Sequence, residues 1–530
     1  MKIVVIDTED NTKGKVRLLD IFDGEKHHSF EKDFLDNFRP FIKSRPKACV
    51  IAHNLDYDLN NLYKGAYGDL ERHYTGGHLI WATDRKAGIR FLDSSNHWRT
   101  SLESVAEALG MKKYPVNSFT DCSITELKKH CQRDTEILWA LIDKLRDFYQ
   151  SFGLSKFPYT APSASLKIFA KRFCPIEINT KRGSGDEFIR EAMYGGRCEI
   201  FHKRPPGIVN CYDVNALYPY IMITNNFPLP ESGEPKSTIM DGHPYVVEAS
   251  VEAPDDIYFP VLPVRYNGYL IFPKGKFTGV WASPEFELAI AKGYKVIKIY
   301  KAVNFLETTP VFQSYMQALF DYRKKSSGIE KDFYKLMQNS LYGKFAEKSE
   351  GLCVKGESYC TLEELKSGAN IDGLVYLQKT HQVRYSALIW SVMITALARV
   401  HLYQLLDKYV PYYCDTDSIF TAASIETSST PGTLKLVGSG RAEFIEPKVY
   451  QFNGQYKAKG VPREAQESYY KTGRAKFRKP LKFREAQRRL DKTLEPNLWI
   501  EVEKVRRSKF EKRKFLANGD SIPLTICDAD

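Results

Sequence analysis

Short runs of apolar and β-branched residues that end in an acid recur along this chain. Ile3-Val4-Val5-Ile6 closes on Asp7-Thr8-Glu9, and Ala48-Cys49-Val50-Ile51-Ala52 leads into His53-Asn54-Leu55-Asp56-Tyr57-Asp58. Val209-Asn210-Cys211-Tyr212 closes on Asp213. Each pattern predicts a buried strand with its polar residues at the tip. Lys408-Tyr409-Val410-Pro411-Tyr412 predicts another strand, turning at Tyr413-Cys414-Asp415-Thr416-Asp417-Ser418. Helical spacing alternates with these runs. Leu127, Cys131, Ile137, Leu138, Leu141, Ile142 and Leu145 predict a helix over 123–148 that carries Asp134, and 385–403 predicts a second. Lys335, Asn339 and Tyr342 fall on one helical stripe, with Gly343 at its end. Residues 424–440, rich in Ser, Thr and Gly, read as a loop.

The placement of the acids gives these elements a chemical meaning. On a strand, residues i and i+2 point the same way, so Asp7 with Glu9, and Asp415 with Asp417, can each meet one divalent ion. Hard carboxylate oxygens suit Mg²⁺, which keeps positions open for water and phosphate. Two solvated acids at a hairpin tip remain the plainer reading of D-x-D alone. Two strands and a helix, each delivering an acid (Asp7 and Glu9, Asp58, Asp134), meet what a two-metal phosphodiesterase site requires.

Composition narrows the class. Of 530 residues, 43% are hydrophobic and 13% aromatic, which describes a globular chain long enough for several domains. Lys and Arg total 77 against 65 Asp and Glu, a net charge of +12 that would attract a polyanion if gathered on one face. Ten scattered cysteines without a C-x-x-C pair argue against a zinc module or a disulfide framework and suggest a reducing compartment. No apolar run is read as approaching the roughly 18 residues of a membrane span. The opening strand leaves no secretion or transit signal in view, so a cytoplasmic, non-membrane protein is expected.

The ordered motifs resemble those of family B DNA polymerases. In the DnaQ-like 3′–5′ exonuclease part, Asp7 and Glu9 match D-x-E, and Asn54, Tyr57 and Asp58 match N-x-x-(F/Y)-D. Asp134 matches Y-x-x-x-D with His130 in the place of tyrosine, which puts the proofreading rate or its pH profile in question. Ser101-Leu102 fits an element that holds the single-stranded primer end, a reading compatible with Ser101 as a helix N-cap. Lys113, with Lys112 competing, fits the exonuclease lysine. Tyr194-Gly195-Gly196-Arg197 resembles the linker motif Y-x-G-G, with Arg197 at the motif's last position, and is expected to approach a template phosphate.

In the polymerase part, Asp213-Val214-Asn215-Ala216-Leu217-Tyr218-Pro219 is similar to motif A, 335–343 to motif B and 413–418 to motif C. The resemblance implies Asp213 and Asp417, with Asp415 in support and Val214 adjoining, as ligands of two Mg²⁺ ions, Mn²⁺ being a plausible substitute. It implies Tyr218, Arg323, Lys335, Asn339 and Tyr342 around the incoming dNTP, although core packing for Tyr218 and a solvated helix face for Arg323 stay open. Lys448 and Tyr450 resemble the K-x-Y element at the primer terminus, followed by Lys459 in a lysine-glycine segment.

The expected fold is therefore a multidomain α+β and α/β chain. A DnaQ/RNase H-like exonuclease domain (1–175) precedes a right-hand polymerase domain (176–530). Within the latter the expected parts are palm (about 190–225 and 383–489), first insertion (about 226–305), fingers (about 306–345), second insertion (about 346–382, an exposed hairpin or loop) and thumb (about 490–530). Length and insertions suggest the protein-primed branch of bacteriophages, viruses and linear plasmids. That branch implies a monomer acting with template and primer DNA, dNTPs and a terminal protein primer. A nucleic-acid-primed or primer-independent polymerase, and an inactive DNA-binding relative, are the competing readings.

Overall fold

Strand Ile3–Asp10 lies beside Cys49–Ala52, which lies beside Ile89–Asp93, all parallel, because helices cross over between them and bury both faces. In the computed structural model, which describes residues 2–11, 15–178, 186–347, 350–380, 387–489, 496–506 and 510–527, this trio forms the middle of a ten-stranded sheet. Helix Ile124–Ser151 covers one face with Leu127, Cys131, Ile137, Leu138, Leu141, Ile142 and Leu145 buried, and a Ser123/Glu126 capping box sets its start.

The expected second insertion joins this sheet. Strands Glu350–Gly356 and Leu374–Thr380 form a hairpin, and the first pairs antiparallel with Leu70–Thr75 through Leu352↔Tyr74, Cys353↔His73 and Val354↔Arg72. The hairpin is thus one wing of the N-terminal sheet, with Cys353, Val354, Val375 and Leu377 buried. Its exposed Gly, Ser and Glu residues hid that buried side from the sequence.

A second, antiparallel sheet runs Leu434–Gly440, Val209–Val214, Ser418–Thr421, Tyr413–Asp415, Cys198–Ile200. Here two expectations are corrected. Residues 434–440 form an edge strand, not a loop; a register shift between Leu436 and Gly438 breaks the alternation that would have revealed it. Lys408 and Tyr409 end a helix, Leu388–Tyr409, and Val410 turns the chain in the left-handed region (φ 40°), so the motif C strand is only Tyr413–Asp415. That helix is, among the described residues, long and apolar enough to cross a membrane, contrary to the reading from sequence. Most of its residues are buried against the rest of the chain, as befits a core helix.

The region 226–305 builds a five-stranded sheet from Gly233–Lys236, Lys295–Phe305, Tyr245–Ala253 and Lys274–Ala282, closed by the C-terminal strand Thr525–Cys527. Helices Gln313–Lys325 and Gly328–Ser340 pack as a pair in the region expected to be fingers. Phe148 of the long N-terminal helix meets Phe333 and Tyr334 at ring distances of 5.4 and 5.1 Å, fixing the fingers against the N-terminal domain. Such aromatic pairs contribute about 1 kcal/mol each beyond burial.

Arg474–Pro480, in the expected palm, pairs with Trp499–Val505, in the expected thumb, and Phe483, just after the first strand, sits in the N-terminal core under the Arg72 guanidinium, 3.9 Å away. Residues 385–386 of the expected helix, 348–349 and 381–382 of the expected second insertion, and 490–495, 507–509 and 528–530 of the expected thumb lie outside the described residues.

Candidate active sites

The N-terminal acids converge. Asp7 and Glu9 stand at the end of strand Ile3–Asp10, Asp58 on helix Leu55–Leu62, and Asp134 on helix Ile124–Ser151. Thr8, between the strand acids, donates to Asp58 Oδ1 twice, from its N–H at 2.9 Å and its hydroxyl at 2.8 Å. Burial first, and then the neighbouring acids, push Asp7 up to about 8. Burial followed by the Asp7 charge likewise holds Glu9 and Asp58 well above the usual carboxylate range. Asp7 Oδ2 and Asp134 Oδ1 are buried without a hydrogen-bond partner. Crowded, dehydrated carboxylates with orphaned oxygens fit divalent cations, which would relieve both repulsion and desolvation.

Lys113 resolves the choice with Lys112: its ammonium lies 2.6 Å from Asp134 Oδ2, whereas the Lys112 carbonyl accepts from Arg133. His130 sits with Nε2 3.5 Å from Glu9 Oε1 and 3.7 Å from Asp134 Oδ2, while its Nδ1 meets the Tyr114 carbonyl. A carbonyl can only accept, so Nδ1–H donates to Tyr114, and Nε2 faces the two carboxylates. Asn54 caps helix Leu55–Leu62 in the left-handed region (φ 68°), with an exposed side chain and its N–H bonded to Asp93. Tyr57 donates to Asp10 Oδ2 at 2.9 Å. Ser101 caps helix Leu102–Ala108 through the Ser104 N–H, and exposed Ser101 and half-buried Leu102 border the same end of the sheet.

The palm acids also meet. Asp213 and Ser418 are directly paired on adjacent strands, and the Val214 N–H donates to the Asp417 carbonyl at 2.7 Å. Neighbouring strand residues lie about 5 Å apart, within reach of shared ions. Burial, then the charge of Asp213, raises Asp417 to about 6. Two lysines sit on this cluster: Lys435 2.7 Å from Asp213 Oδ2, and Lys448 on both oxygens of Asp415, 2.5 and 2.7 Å away. Asp213 and Asp415 each meet a lysine, and the raised Asp417 carboxyl stands between them as the group that a divalent cation would most relieve. Lys448, expected at a primer terminus, holds Asp415 beside the D-T-D turn and lies in the left-handed region (φ 68°). Tyr450 packs behind it on Tyr413, Phe420 and Phe444. Lys459 is exposed, and its backbone joins Lys448 to Lys504.

The turn itself explains the linker. Thr416 adopts φ 62°, and its N–H donates to the Arg197 carbonyl. A Cβ on Gly196 would come within 2.7 Å of the Thr416 side chain. Gly196 thus lets the chain approach the D-T-D turn closely. Gly195 has open space, and buried Arg399 holds the Tyr194 and Gly195 carbonyls at 2.8 and 3.2 Å. Across the site, Lys335 and Asn339 are exposed on helix Gly328–Ser340, and Arg323 donates to Gln338 Oε1 at 3.3 Å. Tyr342 begins the turn after that helix and stacks on Tyr218.

Residues 110–430 match the family described as DNA polymerase type B, organellar and viral. The chain belongs to this family. It is 28% identical over 370 residues to a probable DNA polymerase of Neurospora intermedia, covering 61% of this chain and 37% of that protein. It is 31% identical over 279 residues to the DNA-directed DNA polymerase of Enterobacteria phage PRD1, covering 47% and 46%. The chain thus spans less than half the length of either relative. Its fold matches phi29 DNA polymerase, solved with primer-template DNA and incoming nucleotide, with a TM-score of 0.70 at 18% identity over 96% of this chain and 100% of that one.

Three residues at or near the two acid clusters carried no signal in the sequence. Lys435 lies on the edge strand misread as a loop. Gln338, buried on helix Gly328–Ser340, accepts from Arg323 through Oε1 and leaves its Nε2 without a hydrogen-bond partner. Asn497 lies 436 residues from Asn61 yet bonds its side chain, a contact that no local pattern encodes.

Proposed function

We propose that this chain is a DNA-directed DNA polymerase with a 3′–5′ proofreading exonuclease, initiating on a terminal protein and displacing the non-template strand. The observation that carries the reading is the gathering of seven acids into two clusters, Asp213, Asp415 and Asp417 in one and Asp7, Glu9, Asp58 and Asp134 in the other. Asp213 and Asp417 would hold Mg²⁺, or Mn²⁺, in the palm, and the four N-terminal acids a second set. When bound, such ions supply Lewis acidity and charge neutralisation for phosphoryl transfer.

The chain's own residues orient the reactants. Lys335 and Arg323 place positive charge where the triphosphate would lie. Tyr218 and Tyr342 present a flat surface to its sugar and base. In the exonuclease cluster His130 Nε2 is placed to take a proton from water beside Glu9. The Tyr114 carbonyl would steady the imidazolium that results. Template and primer DNA and dNTPs are the partners this reading requires, in the cytoplasm of a host cell, with the protein acting as a monomer.

The assay is primer extension and single-strand degradation by paired variants. Asp417→Ala should abolish extension and keep degradation, and Asp7→Ala with Glu9→Ala should do the reverse. Unchanged extension by the Asp417 variant would overturn the palm assignment. Transfer of dNMP onto a separate protein, given template and Mg²⁺, tests the priming mode; extension only from nucleic-acid primers would reject it.

A further inference from the structure

Glu71, His73 and Cys353 converge far from either acid cluster, where the inserted hairpin joins the N-terminal sheet. Glu71 and His73 are i and i+2 on strand Leu70–Thr75 and so share a face, and Cys353 on strand Glu350–Gly356 is the direct partner of His73. The Cys353 thiol lies 3.7 Å from Glu71 Oε1 and 3.8 Å from His73 Nε2, and those two atoms are 2.7 Å apart. We propose that these three side chains bind a zinc ion that clasps the hairpin to the sheet.

The geometry suits that ion. Zinc bonds of about 2.0–2.3 Å in a tetrahedron put ligand atoms roughly 3.3–3.6 Å apart. Both sulfur edges are within a few tenths of an ångström of this spacing, and only the Glu71–His73 edge must open. The surroundings already orient the ligands. Trp81 stacks on the His73 ring at 3.6 Å with planes 16° apart, fixing its plane. Arg85 holds Glu71 Oε2 at 3.2 Å, leaving Oε1 turned toward the sulfur.

The nearby ammonium groups are occupied: Lys355 and Lys379 pair with Glu364 at 2.8 and 3.0 Å. A thiolate and a carboxylate would balance the ion's two charges, with the thiol proton released on binding. Sulfur and nitrogen donors select zinc over magnesium, and three protein ligands leave the fourth position to water. Sequence spacing could not reveal the site, because His73 and Cys353 are 280 residues apart.

The test uses the full chain, stripped with chelator and titrated with Co²⁺ in excess Mg²⁺, which occupies the carboxylate clusters. One equivalent of Co²⁺ should bind with tetrahedral visible bands and a thiolate charge-transfer band in the near ultraviolet, and Zn²⁺ should bleach both. Cys353→Ser should lose the charge-transfer band and His73→Gln should weaken binding at least tenfold, with circular dichroism checking that each variant is folded. Zn²⁺ should raise the melting temperature of the parent chain and of neither variant. A charge-transfer band that survives in Cys353→Ser, or a parent chain that binds no more Co²⁺ than the two variants, would overturn the proposal.

Discussion

The ring of Tyr218 lies flat on the ring of Tyr342, with centroids 4.3 Å apart and planes 9° apart. Tyr218 lies in the first turn of helix Leu217–Thr224 and Tyr342 follows helix Gly328–Ser340, so the stack ties the expected palm to the expected fingers. An aromatic pair of this kind is worth about 0.5–1.5 kcal/mol. Tyr218→Ala and Tyr342→Ala should each raise KM for dNTP by about 3- to 10-fold. The double variant should cost less than the product of the two, because both remove the same contact. Steady-state extension kinetics measures this; strictly multiplicative effects would mean the rings act separately. Tyr218→Val should also admit ribonucleotides more readily.

The N-terminal acids make the metal-free fold sensitive to pH. Asp7 ionises near an ordinary value of about 4 when unfolded, but at about 8 when folded. The folded state therefore keeps a proton that the unfolded state has lost. This contribution is fully present below about pH 4 and is lost as pH rises through 8. Thermal melts without metal should show a fall in melting temperature across that window, and Asp7→Asn should flatten it. Mn²⁺ should stabilise the parent chain more at pH 8.5 than at pH 6, since it replaces protons that are gone at the higher pH. An identical pH slope in Asp7→Asn would rule this out.

Lys113 is the cation that approaches Asp134, at 2.6 Å. Its removal leaves a buried acid without that charge and its metal ligands more repulsive. Lys113→Met should slow 3′–5′ degradation by about 10²-fold, the scale of losing one oriented electrostatic group, with extension of a matched primer unchanged. Lys112→Met should leave both rates near the parent. Equal effects of the two substitutions would show that the ion pair does not set the rate.

Gly196 touches the palm site through Thr416. A methyl there would press on Thr416 Cγ2 and Oγ1 at 2.7 and 2.8 Å, and Thr416 is already at a positive φ. Shifting the turn moves Asp415 and Asp417, and a displacement near 1 Å can cost about 10²-fold in rate. Gly196→Ala should lose extension on that scale while degradation persists. Thr416→Ala in the same chain should restore part of it, as both crowding atoms are removed.

What the sequence revealed follows from how local each signal is. The acids of both clusters sit beside strands whose apolar runs are contiguous, so their elements and their convergence could be read residue by residue. Most of helix Leu388–Tyr409 could be read as a helix, but Tyr409, Val410 and Tyr412, aromatic and β-branched, left its last residues looking like a strand. The Leu352↔Tyr74 pairing is set by burial of Val354 and Cys353 against a sheet formed far earlier in the chain. Strand partners of that kind are written in tertiary packing, not in propensity. Lys435 and Lys448 likewise came to rest on acids that only the folded palm brings near.

Asn497, in the expected thumb, is bonded to the helix that carries Asp58 of the N-terminal acid cluster. Its amide donates to the Tyr57 carbonyl at 2.8 Å and to Asn61 Oδ1 at 2.9 Å, and its Oδ1 accepts from Asn60 at 3.2 Å. All three partners lie on the short helix that carries Asp58, and Asn497 itself is 3% exposed. It also sits at φ 68°, where Asn and Gly are tolerated and Ala is strained. Asn497→Gly keeps the backbone and removes the three bonds, stranding buried amide groups at a cost of about 1–3 kcal/mol. The loss falls on the helix holding Asp58, so degradation of single-stranded DNA should drop several-fold more than extension does. Asn497→Ala, with backbone strain added, should melt lower than Asn497→Gly. The ratio of degradation to extension, measured on one preparation, separates this coupling from a general loss of folded protein, which would lower both rates together.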